Sequence, residues 1–327
     1  MTTDAAEVLV EGPWRHRYVA ANGGRFHVAE AGDPDRPLVL LLHGFPQFWW
    51  VWRHQLPALA DAGYHAVAMD LRGYGASDKP PRGYDTPTLA ADVAGVVRAL
   101  GAGRAVVVGH DWGGWIAWAM PSLQARVTRA IAVLSAPHPL VAHRPGLTQL
   151  RAARRWLQFQ LPVSPERWLG DSDGVERLLR DWTAAGSSNG SANGAANGAA
   201  NASSDGAFGG PLDAEAVERY RRAMQLPFVA HTAMEYYRWS VRSLGRSDGR
   251  RFAAAIREPV TVPVLQLHGA RDPWVLPETA AASRRWAGTR STYTIVPSAG
   301  HLLPEEAPDQ VTALLLGWLR GLPPDED

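Results

Sequence analysis

Short apolar segments that alternate with helical stretches constrain the fold of this chain more than any other feature. Strands covered by helices on both faces read as continuous apolar runs, and this burial is typical of parallel sheets. Before these runs, residues 14–20 and 25–31 flank the turn sequence 21–24 and predict a hairpin. The runs themselves occupy residues 37–42, 64–69, 105–109, 129–135, 263–268 and 292–297. We therefore predict an α/β fold with a mostly parallel sheet between helices.

The strand–helix alternation breaks after residue 136, which predicts an insertion. Arg, Leu and Trp recur at helical spacing over residues 137–249, without a clear buried strand. This pattern predicts a helical cap over 137–249 between two parts of one core, 1–136 and 250–327. Inside the cap, asparagine recurs at every fourth position among Gly, Ala and Ser, which have almost nothing to bury. We expect residues 186–210 to form a flexible loop.

Charge and cysteine content exclude several classes of function. The 33 basic side chains balance 32 acidic ones, and a net charge of +1 favours neither nucleic acid nor an anionic membrane as partner. The absence of cysteine excludes disulfides, thiolate metal sites and cysteine nucleophiles. Neither a signal-peptide pattern nor an apolar run of membrane-spanning length occurs. We expect a cytoplasmic protein without a metal, and a homodimer is one alternative for its oligomeric state.

The stretch VVVGHDWGGW, residues 106–115, places a carboxylate in a turn where many hydrolases carry serine. The predicted strand ends at Gly109, and Gly113 and Gly114 allow the backbone to fold closely before a helix. This turn presents Asp111 near the positive end of that helix, which favours the ionised carboxylate. A helix N-cap is the alternative role for Asp111. The glycines on both sides favour a nucleophile.

Two further polar residues follow later predicted strands. His301, in SAGHLLP, is a candidate general base, and Asp272, in HGARDPW, is suited to orient an imidazole. A structural loop histidine and an Asp-Pro turn are the alternative interpretations. Ligands bind outside the carboxyl ends of the strands in open α/β sheets, and both residues lie at such ends. The chain order Asp111, Asp272, His301 is the hydrolase order of nucleophile, acid and base.

The turn HGFP, residues 43–46, follows the first long apolar run. In a fold of this kind the backbone N–H groups of Phe45 and Trp112 point into the site and stabilise an anion. We expect the first two residues of the turn to shape it rather than take part in chemistry. The sequence leaves open whether the Pro46 peptide is cis.

These motifs together resemble the α/β-hydrolase superfamily, and within it the epoxide hydrolase and haloalkane dehalogenase branch. The resemblance covers nearly the whole chain, with every motif in family order. It implies the α/β-hydrolase fold, with an eight-stranded, mostly parallel sheet, a helical cap after the sixth strand and no cofactor. The motifs are HGFP (43–46), DLRGYGAS (70–77), GHDWGG (109–114), the acid turn at Asp272 and the AGH loop that ends at His301.

The resemblance also implies two cap tyrosines that protonate an epoxide oxygen. The stretch AMEYYRW, residues 233–239, is similar to the second motif and places the acid at Tyr237, with a buried helix aromatic as the alternative. The first tyrosine normally precedes an F-Q-x-P-like segment, but RRWLQFQLP, residues 154–162, contains none. Tyr236 and Tyr220 are the substitutes to consider. The expected substrate contacts are Phe45, Pro46, Trp112, Trp156 and Tyr236.

Three functions stay open on the sequence. HGFP and HDWGG resemble epoxide hydrolases better, which implies a small hydrophobic epoxide and water as reactants. Haloalkane dehalogenases typically carry H-G-N-P, whose Asn holds the halide together with a Trp after the nucleophile. Here Phe45 occupies the position of that Asn, although Trp112 does follow the nucleophile. Fluoroacetate dehalogenases tend to have Arg directly after the nucleophile, where this chain has Trp112. A non-catalytic ligand-binding relative is the third alternative, against which the intact Asp–His–Asp set argues.

Overall fold

Eight strands form one sheet in the order β1-β2-β4-β3-β5-β6-β7-β8. The computed structural model describes residues 5–171, 173–184 and 212–324. Every predicted strand is present, with ends that differ by no more than one residue, so the predicted α/β-hydrolase fold class is confirmed. The strands are β1 Arg15–Ala21, β2 Gly24–Ala31, β3 Leu38–Leu42, β4 His65–Met69, β5 Ala105–His110, β6 Thr128–Leu134, β7 Val264–Gly269 and β8 Ser291–Val296.

The sheet is parallel except at one edge. Strand β2 pairs antiparallel with both β1 and β4, while β3 to β8 pair in parallel. In the centre, Leu41 lies between Ala68 on β4 and Val108 on β5. These side chains are fully buried, as expected for strands with helices on both faces. The edge strands β1 and β8 are more exposed along their length.

Helices separate the parallel strands and also fill the interval between β6 and β7. The helices are α1 Gln55–Asp61, α2 Thr86–Ala99, α3 Trp112–Leu123, α4 Pro139–Ala142, α5 Leu147–Ala152, α6 Arg155–Gln158, α7 Ser164–Gly170, α8 Gly174–Trp182, α9 Ala214–Met224, α10 Val229–Arg242, α11 Ser247–Ala255, α12 Pro277–Ala282, α13 Leu303–Glu306 and α14 Pro308–Arg320. Short 3₁₀ helices occur at Ala5–Val8, Trp49–Trp52, Ala125–Val127, Ser243–Gly245 and Ser283–Trp286.

The described chain between β6 and β7 contains only helices and connecting turns, from α4 to α11. This is the interval for which the sequence predicts a cap. The division of the chain into a core of 1–136 and 250–327 and a cap of 137–249 stays a prediction. The loop predicted over 186–210 lies outside the described residues. Within the described ranges, no helix combines the length and the apolar character needed to cross a bilayer.

The start of α3 lies against the end of β3 at backbone distance. The Gly113 N–H donates to the carbonyl of His43 (3.0 Å). A Cβ atom on Gly113 would lie 2.2 Å from the carbonyl oxygen of Leu42. Only glycine leaves room for this approach, because the neighbouring atoms belong to a buried backbone that has no rotamer to change. The turn at residue 111 is therefore held beside the turn that follows β3.

We expect Gly113→Ala to destabilise the protein by about 3 kcal/mol or more, since overpacking against backbone cannot be relieved by a side-chain rotation. The matched control is Gly317→Ala in α14, where a Cβ atom meets nothing within 4 Å. There alanine should stabilise the helix by up to about 1 kcal/mol. Urea unfolding of both variants measures the difference, and equal stability of the two would contradict the packing argument.

Candidate active site

Asp111 occupies a sharp turn between β5 and α3. Its backbone has φ 49° and ψ −112°, a left-handed conformation that is strained for a residue with a side chain. The side chain makes no capping hydrogen bond to α3, although it stands at the N-cap position. Instead, Asp111 Oδ2 accepts the backbone N–H of Phe45 at 2.9 Å. The structure thus directs the carboxylate away from its helix and towards the turn after β3.

His301 and Asp272 meet Asp111 at the carboxyl ends of β5, β7 and β8. His301 Nδ1 lies 2.9 Å from Asp272 Oδ2, and His301 Nε2 lies 3.6 Å from Asp111 Oδ1. The two carboxylates therefore flank opposite sides of one imidazole ring. The imidazole is fully buried, and so is Asp272. The three residues singled out in the sequence are brought together.

Backbone N–H groups hold the Asp272 carboxylate in place. Its Oδ1 accepts the N–H of Trp274 and of Val275, each at 2.8 Å, which leaves Oδ2 for His301. Burial by itself raises the pKa of Asp272, but the charge and hydrogen bond of His301 outweigh it and lower that pKa. Asp272 is consequently a fixed anion beside Nδ1 and determines which nitrogen of the ring faces Asp111.

The pKa of His301 is raised by its two carboxylate neighbours. Burial alone lowers it, whereas the charge of Asp272, the hydrogen bond to Asp272 and the nearby Asp111 carboxylate raise it to about 10. At neutral pH the free protein therefore carries an imidazolium between two carboxylates. Loss of the charge on Asp111 would remove part of this support and make His301 a stronger acid.

The turn after β3 supplies a donor to the site. The Phe45–Pro46 peptide is cis. The His43 side chain stays within the turn region, since Nδ1 donates to Gly44 O (2.8 Å) and Nε2 accepts the N–H of Leu71 (3.0 Å). A Cβ atom on Gly44 would lie 2.8 Å from Asp111 Oδ2. The N–H of Trp112, at the first position of α3, has no preceding helical turn to accept it.

Asp111 lines a mainly apolar cavity of about 340 Å³. Trp112 and Trp156 form part of its wall, as does Tyr237 from α10. The aromatic ring of Phe45 is instead packed against the rings of Phe159, Trp182 and Tyr237. Three of the residues expected to contact substrate are not among the lining residues: Phe45, Pro46 and Tyr236.

The Tyr237 hydroxyl is buried and has no hydrogen-bond partner among the described residues, and the same holds for Trp112 Nε1. The two rings meet edge to face, 4.9 Å apart between centroids. Burial, followed by the negative charge of Asp111, raises the pKa of Tyr237 well above its ordinary value. Tyr237 is thus a protonated donor without an acceptor on the wall of the cavity that Asp111 lines.

The other candidate tyrosines have their hydroxyl groups bound elsewhere. Tyr236 donates to the carbonyl of Arg72 (2.7 Å), and Tyr220 donates to Glu305. In the segment that lacks a tyrosine, Trp156 lines the cavity and its Nε1 donates to Ser240 Oγ (3.2 Å). Among the described tyrosines, Tyr237 alone lines the cavity.

A buried glutamate that the sequence analysis missed supports the His301 loop. Glu306 accepts the backbone N–H of Gly300 (3.0 Å) and of Leu302 (3.0 Å), one on each side of His301, and that of Ala184 (2.7 Å). The N–H of His301 itself donates to Trp182 O (3.0 Å). The signal in the sequence was a glutamate that closely follows the apolar residues after the histidine.

Comparison with known proteins identifies the family. A family model described as the alpha/beta hydrolase fold matches residues 37–308. The chain therefore belongs to the α/β-hydrolase family. Within it, the chain lies in the epoxide hydrolase branch, which confirms the resemblance seen in its motifs.

Epoxide hydrolases are among its relatives in both sequence and structure. Epoxide hydrolase A of Mycobacterium tuberculosis (strain ATCC 25618 / H37Rv) is 33% identical, over 94% of this chain and 97% of its own. Epoxide hydrolase 3 of Xenopus tropicalis is 31% identical, over 94% of this chain and 78% of its own. The crystal structure of epoxide hydrolase A from Mycobacterium thermoresistibile superposes with a TM-score of 0.74 at 31% identity, over 95% of this chain and 99% of that one.

The titration of His301 predicts how stability depends on pH. Its pKa of about 10 lies above the ordinary 6.5, so the contribution of protonation is fully present below pH 6.5 and is lost as the pH rises through about 10. We expect the urea midpoint of the wild type to fall across this range and to fall less in His301→Gln. Asp111→Asn should shift the NMR titration of the His301 ring to lower pH, and an unchanged titration would contradict the coupling.

Proposed function

We propose that this protein hydrolyses an epoxide to a vicinal diol through a covalent ester on Asp111. The observation that carries the proposal is the Tyr237 hydroxyl, a buried donor without an acceptor, on the wall of the cavity that the carboxylate lines. An epoxide needs a nucleophile for its carbon and a proton for its oxygen, and these two groups supply both. The relatives named epoxide hydrolases support the same substrate class.

The first step opens the ring. Asp111 Oδ2 is bound to the Phe45 N–H, which leaves Oδ1 as the attacking oxygen. Oδ1 forms a bond to one epoxide carbon, the C–O bond of the ring breaks, and Tyr237 gives its proton to the departing oxygen. The product is an alkyl ester of Asp111 that carries a neighbouring hydroxyl group.

The second step hydrolyses the ester. Once Asp111 is esterified its negative charge is gone, so the pKa of His301 falls and the imidazolium can return a proton to Tyr237. Neutral His301, oriented by Asp272, then takes a proton from a water molecule that attacks the Asp111 carbonyl carbon. The N–H groups of Phe45 and Trp112 stabilise the oxyanion on Oδ2, which already lies 2.9 Å from the Phe45 nitrogen. When this intermediate collapses, the bond between Cγ and Oδ1 breaks and the diol leaves with Oδ1 and a proton from His301. The new Asp111 carboxyl group then gives its proton to His301, which restores the carboxylate and the imidazolium.

This chemistry explains a carboxylate at the position of the usual serine. Attack by serine on the same sp³ carbon would form an ether, which has no carbonyl for water to attack. An aspartate ester is cleared by water and the enzyme is regenerated. The apolar lining of the 340 Å³ cavity favours hydrophobic epoxides as substrates.

One observation favours a haloalkane dehalogenase as the second candidate. Trp112 Nε1 is an unpartnered buried donor beside Asp111 and suits a departing halide as well as an oxygen. In haloalkane dehalogenases the Asn of the H-G-N-P motif is the second group that holds the halide. This chain has Phe45 at that position, and its side chain has no hydrogen-bond donor. A panel of terminal, internal and bulky epoxides alongside bromoalkanes, with identification of the products, decides between diol formation and halide release.

We expect Asp111→Asn to abolish steady turnover, because an amide does not form the ester. In ¹⁸O-labelled water, a single turnover of the wild type should place the label in Asp111 before it reaches the diol, since water attacks the enzyme's carbonyl. Mass spectrometry of the peptide that contains Asp111 measures this. Label found in the diol and never in Asp111 would overturn the ester mechanism.

Tyr237→Phe should slow epoxide opening by about 10²- to 10⁴-fold, the usual contribution of a positioned acid, while halide release stays unchanged. Tyr236→Phe is the matched control, since it removes the adjacent hydroxyl, which is bound to Arg72 O. It should cost about 1 kcal/mol of stability and leave the rate of epoxide opening near the wild-type value. Equal losses of rate in both variants would contradict the role of Tyr237.

A further inference from the structure

Exposed leucines surround the mouth of the cavity. Leu150, Leu157 and Leu244 line the cavity and yet are 45%, 65% and 52% exposed, so they lie where it opens to solvent. Leu147 is 76% exposed and precedes Leu150 by one turn of α5. We call these four residues the leucine rim. Single exposed leucines are ordinary, whereas a cluster at a pocket mouth marks a surface that another apolar phase covers.

The chain segments that carry the leucine rim are rich in arginine, and acidic residues directly border them at Glu166, Glu235 and Asp248. Residues 139–165 include four arginines, residues 236–247 include three, and neither segment has an Asp or Glu. Two of the seven are neutralised, because Arg155 pairs with Asp181, and Arg238 with Glu166 and Glu235. The other five are exposed and form no ion pair with a described residue: Arg144, Arg151, Arg154, Arg242 and Arg246.

From this combination we propose that the leucine rim and its five arginines dock on the surface of an anionic phospholipid bilayer. Leucine side chains enter the boundary between headgroups and acyl chains, and each arginine near the surface adds attraction to anionic lipid. The overall charge of +1 conceals this local excess, because acidic residues elsewhere in the chain balance it. The proposal therefore departs from the expectation that charge favours no anionic membrane, which considered only the total charge.

A second copy of this chain fits the same surface less well. A two-fold interface would bring each patch against its own copy and so set five unpaired arginines against five others. Nucleic acid would satisfy the arginines but would leave the leucines exposed. A bilayer that contains anionic lipid satisfies both the apolar and the cationic part of the surface.

Docking on a bilayer also indicates where the substrate comes from. This consequence rests on the proposed function. The cavity opens through the leucine rim, so its mouth would face the membrane. Epoxides that partition into lipid would then enter the cavity without crossing bulk water. The substrate class is therefore lipophilic epoxides dissolved in, or belonging to, a membrane.

Sedimentation of the protein with lipid vesicles tests the docking without any substrate. We expect binding to phosphatidylcholine vesicles that contain phosphatidylglycerol, little binding to pure phosphatidylcholine, and weaker binding at high salt. The triple variant Arg144→Gln, Arg151→Gln, Arg154→Gln should bind anionic vesicles about 100-fold more weakly, at roughly 5-fold per arginine. Leu147→Gln should weaken binding by about 10-fold.

The matched control removes three exposed arginines that lie outside the helices between β6 and β7, two of them just before the amino ends of β5 and β6: Arg98→Gln, Arg126→Gln, Arg320→Gln. It should bind like the wild type. Absence of wild-type binding, equal loss in both triple variants, or self-association of the protein that the rim variants abolish would each overturn the proposal.

Turnover of a water-soluble epoxide in the absence of vesicles should be the same in the rim triple variant and the wild type. If no epoxide is turned over and vesicles still bind, the proposed function fails and the docking stands.

Discussion

The close backbone contact between the start of α3 and the end of β3 is the constraint on which the site depends. Asp111 adopts a left-handed conformation that costs about 1–3 kcal/mol, and it persists because the surrounding packing determines it. Gly113 allows α3 to begin against the Leu42 carbonyl, and Gly44 leaves room for the carboxylate itself. As a result, one oxygen of Asp111 lies on the Phe45 N–H, and the other remains free to react.

The His301 loop links the sheet to the helices between β6 and β7. The carbonyl of His301 accepts Nε2–H of His110, at the end of β5, and its N–H donates to Trp182, at the end of α8. Glu306 ties the same loop to Ala184. Because these bonds join the sheet to the helices between β6 and β7 at the His301 loop, the position of those helices and the position of His301 are not independent.

The helices that line the cavity carry the unpartnered Tyr237 hydroxyl. They also carry exposed leucines, with arginines nearby in the chain, where the cavity opens to solvent. Among the described tyrosines, Tyr237 alone lines the cavity, since Tyr236 and Tyr220 donate to acceptors elsewhere and Trp156 lies in the segment that lacks a tyrosine. In the proposed mechanism the opening of an epoxide therefore depends on one proton, from Tyr237, which His301 resupplies after Asp111 is esterified. The leucine rim lies on α5, α6 and the 3₁₀ helix after α10, so the proposed membrane contact and the proposed acid belong to neighbouring helices.

The sequence by itself determined the strands, their parallel arrangement and the place of Asp111, Asp272 and His301 at strand ends. These follow from local patterns, since apolar runs and glycine turns act over a few residues. Only the tertiary structure decided which tyrosine lines the cavity, that Tyr236 lies bound to Arg72 O, and that the aromatic ring of Phe45 packs behind Tyr237. It also decided the role of Glu306 and the gathering of leucines from α5, α6 and the 3₁₀ helix after α10. Such contacts join residues far apart in the chain, and no local period of the sequence records which side chains will meet.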